Sequence, residues 1–192
     1  MIENVLEKRS AAFKTKIAVK TLISAAVVAL AVILPQIVHA LAGAAGGVKW
    51  LPMYLPVLIG GCLLGWKWGL AVGVLSPLAS FAITSMFGDP MPAAARLPYM
   101  IVELAVFAGI TGLFSKKISE NVWTAFAAVL FAAVGGRLVF LAVAAMFQSV
   151  SSLSAAAAWS QIQSGLFGLL LQITIVPVVV MGLSIALRRE KR

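Results

Sequence analysis

Apolar residues in this chain do not alternate with polar ones at a strand or surface-helix period. They run in long blocks at about positions 17–38, 51–66, 69–86, 99–114, 122–147 and 165–187, parted by short breaks of Gly, Pro, Lys or Ser. A helix needs roughly 20 mostly apolar residues to cross a bilayer core, so each block reads as one membrane span. The breaks support this reading. Residues 40–47 are small and glycine-rich and predict a loop or a capping lid. Trp66-Lys67-Trp68 sets a lysine between two interfacial aromatics. Residues 88–98, with Pro90, Pro92, Pro98, Asp89 and Arg96, must be an exposed connection. Pro77 and Pro177 predict bends inside the third and sixth spans. A polar stretch over 148–163 joins the last two spans, with a short interfacial helix expected near Ala155 to Trp159. The fold class that follows is an all-α membrane protein: one domain over 1–192, a single bundle of six transmembrane helices.

Composition strengthens the membrane assignment. Of the 192 residues 62% are hydrophobic and 11% charged, whereas soluble domains are about half apolar and about a quarter charged. A net charge of +9 would suggest nucleic acid in a soluble chain, but its distribution excludes that partner here. Lys8, Arg9, Lys14, Lys16, Lys20, Lys67, Lys116, Lys117, Arg188, Arg189, Lys191 and Arg192 all fall on the side shared by both termini and the even loops. Lys49 and Arg96 fall on the other side and Arg137 inside a span. The positive-inside rule then puts both termini in the cytoplasm. The basic start lacks a clear cleavage context, so the first block reads as a retained span. Cys62, the only cysteine, reads as a small core residue.

Two charges fall at bilayer depth, where an ionisable group normally faces a protein interior and marks a binding or transport path. Glu103 is about five residues from the outer end of the fourth span, and Arg137 about nine to ten from the outer end of the fifth; at 1.5 Å per residue their levels agree within one or two turns. Gln172, on the sixth span, falls at the same level. Glu103 and Arg137 form an ion pair or jointly grip a ligand, or all three satisfy one another and lock the bundle. Tyr99 and Phe107 share the Glu103 face at i−4 and i+4, and Trp50, Tyr54 and Trp159 lie in or near outer loops. Glu103, Arg137, Gln172, Tyr99, Trp50, Tyr54 and Trp159 are therefore the candidate substrate-binding set. His39, at the outer end of the first span, reads chiefly as interfacial. Ala25 and Ala29, with Ala26 beside them, make a small-xxx-small face that admits a close helix. The sequence has no phosphate-cradling glycine loop, no metal-spaced His or Cys set and no nucleophile–base pair, which argues against an enzyme, an ATPase site of its own, a bound metal or any other cofactor.

The stretches LPMYLPVLIGGCLLGWKWGLAVGVLSPLAS and FGDPMPAAARLPYMIVELAVFAGITGLF resemble the substrate-binding membrane subunits, or S components, of energy-coupling factor (ECF) transporters. The shared pattern is a Pro-Val entry into span two, a Gly-x-x-x-Gly turn from Gly65 to Gly69, and a Met-Pro loop before a glutamate-bearing span four. It covers residues 51–114, and the rest by topology. The resemblance implies a vitamin-binding subunit of an ABC-type importer in a prokaryotic plasma membrane. It further implies docking on one transmembrane coupling subunit and two cytoplasmic ATPases, and toppling in the bilayer to deliver occluded ligand. It places the ligand in the outer half of the bundle and makes the Ala25–Ala29 face, with Ala26, the docking surface for the coupling subunit. A stand-alone proton-coupled carrier with Glu103 as its protonation site is the alternative; the lack of an inverted repeat and of a second intramembrane acid counts against it.

Overall fold

The computed structural model describes residues 2–121, 123–147 and 155–189. Residue 122, at the start of the fifth block, and 148–154, in the expected polar loop, lie outside that set. Among the described residues every regular element is helical: α1 (Ile2–Trp50), α2 (Tyr54–Leu64), α3 (Trp66–Met86), a 3-10 turn (Ala94–Arg96), α4 (Leu97–Leu113), α5 (Ser115–Glu120), α6 (Thr124–Phe147) and α7 (Ala155–Arg189). Six stretches are long and apolar enough to cross a membrane: Ile17–Gly43, Ala45–Leu64, Trp66–Met86, Ala94–Leu113, Thr124–Phe147 and Ala156–Leu183. The chain is a six-span, all-helical membrane protein.

The segment over 40–47 is not a loop. Helix continues on both sides of a single break at Gly43, where φ is 66° and ψ −173°. Alanine is the strongest helix former, so Ala40, Ala42, Ala44 and Ala45 hold helical backbone while glycine alone accepts the positive φ. The residues before Trp159 likewise belong to the first turns of α7 rather than to a separate interfacial helix.

Two joints turn the chain sharply. Between α1 and α2, Leu51 takes a positive φ of 49°, uncommon for a branched side chain. It is held by Leu51 N donating to Gly47 O at 3.2 Å and Tyr54 N donating to Leu51 O at 3.1 Å. Between α2 and α3, Gly65 turns the chain at φ 85°, ψ 171°.

Small residues set how closely the helices pack. A methyl group on Gly73 would lie 2.6 Å from Leu104 O, one on Gly69 2.7 Å from Ala108 O, and one on Gly112 2.5 Å from Trp66 Cα. These glycines bring the backbones of α3 and α4 together. Gly136 on α6 gives its space to the Phe107 ring, and Gly168 on α7 lies against the backbone of Lys49 and Trp50. α2 is innermost and buries Tyr54, Val57, Leu58, Cys62 and Leu64. Large apolar side chains point outward elsewhere, among them Leu22, Leu138 and Leu170, as a lipid-facing surface requires.

Candidate functional site

Three buried polar side chains from three helices meet in the core. Arg137 Nη1 on α6 donates to Glu103 Oε1 on α4 at 2.8 Å, and the Tyr54 hydroxyl on α2 donates to Glu103 Oε2 at 2.5 Å. The Arg137 guanidinium also lies over the Tyr54 ring, 5.4 Å from its centroid, a geometry that favours the cation. Glu103 is fully buried and Tyr54 and Arg137 nearly so. Phe107 meets the Tyr54 ring edge to face at 5.2 Å, in the room left by Gly136. Each carboxylate oxygen has a donor, so Glu103 is partnered at both oxygens. Arg137 differs: Nε and Nη2 are buried without a partner, Nη2 lying where a methyl on Gly165 would sit 3.1 Å away.

Beside this network is a cavity of about 290 Å³. Pro35 and His39 of α1, Leu51 at the first joint, Ser80 of α3, Met91 and Arg96 of the proline-rich connection, Met100 of α4 and Gln161 of α7 line it, with Tyr54. The connection is folded back over the bundle by bonds at Met91: Ser80 Oγ donates to Met91 O at 2.7 Å, Thr84 Oγ1 lies 3.3 Å from the same oxygen, Met91 N donates to Thr84 Oγ1 at 2.7 Å, and Gln36 Nε2 donates to Met91 Sδ at 3.8 Å. Tyr54 is the one residue common to network and cavity. Glu103 and Arg137 do not line the cavity themselves; both contact Tyr54, which does. Gln161 Oε1 is buried and unpartnered, and Arg96 is exposed at the rim.

The remaining candidates lie apart. Gln172 Nε2 donates to Leu51 O at 2.7 Å and fastens α7 to the strained first joint. Trp50 packs edge to face on Phe167 at 5.1 Å; with Gln172 it lines a separate, apolar cavity of about 420 Å³. Tyr99 is buried against Phe140 at 6.4 Å, one turn from Glu103 but outside its network. Trp159 is 52% exposed. Counting residues along spans gives depth, not azimuth. It therefore missed Arg96, Gln161, Ser80 and Met91, which reach the cavity by loop fold-back and helix rotation. The prolines around Met91 were the available signal.

Along the outside, α1 and α3 form an apolar groove of about 940 Å³ lined by Ala25, Val28, Ala29, Ala71, Leu75 and Ala79, among others. Ala26 is exposed but not part of this groove.

Comparison with curated proteins and with solved structures gives no significant match. The model of the family described as "ECF transporter, substrate-specific component" matches residues 20–180. That span holds the buried network, the cavity and the groove alike, and the chain belongs to the family of substrate-specific components of ECF transporters.

Proposed function

We propose that this chain captures a water-soluble vitamin or related micronutrient outside a prokaryotic cell and delivers it inward when docked on one membrane coupling subunit and two cytoplasmic ATPases. Family membership carries the coarser statement, a small-molecule substrate and an ECF module as partner. Both termini face the cytoplasm in this reading, on the strength of the basic residues gathered at that side. The groove of Ala25 and Ala29 receives the coupling subunit, with Ala26 at its edge, because small residues let a second helix approach closely.

The observation that carries the reading is the cavity beside Tyr54. Its about 290 Å³ stands at the low end of the roughly 300–1,000 Å³ usual for small-molecule sites, and such sites combine apolar walls with a few placed polar groups. Tyr54, His39, Gln161 and Arg96 are those groups here. Glu103 and Arg137 neutralise each other and position Tyr54, so the charged group left facing the ligand is Arg96, which suits a neutral or anionic molecule. Gln172 keeps the wall at Leu51 in place, while Trp50, Tyr99 and Trp159 stand outside the cavity lining. The proton-coupled alternative needs a carboxylate free to exchange protons; both oxygens of Glu103 are engaged.

Mass spectrometry of small molecules co-purifying with the full chain tests the proposal. One compact, polar ligand is expected in near-stoichiometric amount, and titration back onto stripped protein should weaken at least tenfold in Tyr54→Ala. Ligand affinity unchanged by Tyr54→Ala and by Arg137→Ala would remove the site.

A further inference from the structure

At the opposite end of the bundle from the ligand cavity, three elements bring lysines to one cleft. Lys20 of α1, Lys67 at the start of α3 and Lys116 of α5 line a cavity of about 580 Å³ together with Trp66, Trp68 and Ser115, and among the described residues no aspartate or glutamate lines it. Lys20 is fixed there, its Nζ donating to Leu64 O at 3.2 Å, the last carbonyl of α2. Lys67 lies over the Trp66 ring at 5.6 Å, and Trp66 is 48% exposed. α3 begins at Gly65 with no side-chain cap, so its first amides add positive potential to the lysines.

The cleft does not end in solvent. Trp68 lines both it and the α1–α3 groove, and Thr21, next to Lys20, opens the groove's wall on α1. The groove's α1 wall extends to Ile33; twelve residues at 1.5 Å give about 18 Å. One leaflet of hydrocarbon is about 15 Å deep. A cationic pocket is thus joined to an apolar trough one acyl chain long.

We infer that this composite site holds an anionic phospholipid, its phosphate among Lys20, Lys67 and Lys116 and one acyl chain along the α1–α3 groove. Basic pockets between membrane helices on the cytoplasmic side select anionic headgroups, and Trp66 and Trp68 mark the interfacial level at which a phosphate lies. An amphiphile matches both halves of the site, whereas a soluble anion matches only the lysines and a zwitterionic lipid only the groove. If the coupling subunit seats on the same groove, which rests on the docking proposed above, lipid and subunit exclude one another.

The test uses the full chain alone in mild detergent, without the coupling module, so that its failure leaves the docking proposal untouched. Phosphatidylglycerol and phosphatidylcholine of identical chains are added in equal amounts, and retained lipid is read by native mass spectrometry. Retention of phosphatidylglycerol over phosphatidylcholine is expected, falling about 30-fold in Lys67→Gln/Lys116→Gln because each lysine near a lipid surface contributes about a factor of five. Both side chains are exposed, which protects the fold. Ala71→Leu, in the groove, should reduce retention of both lipids and keep the preference. Equal retention of the two lipids, or a preference unchanged in the double variant, overturns the inference. Displacement by millimolar inorganic phosphate makes the cleft a soluble-anion site and overturns the lipid.

Discussion

Arg137 donates one bond to Glu103 and leaves two buried nitrogens without a partner. Removing one member strands the other: Arg137→Met leaves Glu103 buried and uncompensated, a cost of about 3–5 kcal/mol, whereas replacing both members by uncharged groups of similar volume is often neutral. Arg137→Met is therefore expected to lower the melting temperature in detergent sharply and Glu103→Gln/Arg137→Met to recover most of it. A double variant no more stable than the single one would show that the pair is not the source of the loss. The common depth of the two charges was legible because helix rise is constant. That Tyr54 completes their network was not, since the pairing depends on how α2 is rotated against α4, and the continuous apolar block of α2 carries no period from which to read rotation.

Between elements, glycines make the close contacts that build the fold, whereas the alanine face of α1 is the proposed docking surface. Gly69 and Gly73, four residues apart, present one bare face of α3 to α4, and nothing on α4 can move aside, since the contacts at Leu104, Ala105 and Ala108 are largely backbone. Gly73→Leu is expected to cost at least the roughly 1–3 kcal/mol of an overpacked site and to abolish monodisperse elution. Ala25→Leu/Ala29→Leu, on an exposed face, should leave elution and ligand binding intact while ending co-purification with the coupling subunit. Loss of fold in the second variant, or retained co-purification, would reverse that division. The spans were legible from their length and apolarity. Helical continuity through 40–47 was not, because glycine content suggests a loop while the interleaved alanines restrict the break to Gly43. Nor was the role of Gly69, which reads as part of the Gly65 turn and instead stands inside α3 against Ala108.

Taken whole, the molecule holds the cavity beside Tyr54 at one end, its lysine cleft at the other and the α1–α3 groove along its side. The cavity was only partly legible, because its walls at Arg96, Met91 and Ser80 come from a connection held down by Ser80 and Thr84, contacts that no hydrophobic pattern encodes. The ion pair has a further, electrical consequence. Glu103 and Arg137 are the charges away from the span ends, and they cancel. An unpaired elementary charge moved through the membrane potential would exchange about 2.3 kcal/mol per 100 mV; the two members of this pair, moving together, exchange almost nothing. Uptake of an uncharged ligand, measured in vesicles clamped at zero or at strongly inside-negative diffusion potentials, is expected at the same rate in both. A steep voltage dependence would mean that the pair separates during the cycle. The paired core is in effect electroneutral, so under the proposed cycle uptake is expected to continue in a cell whose membrane potential has collapsed.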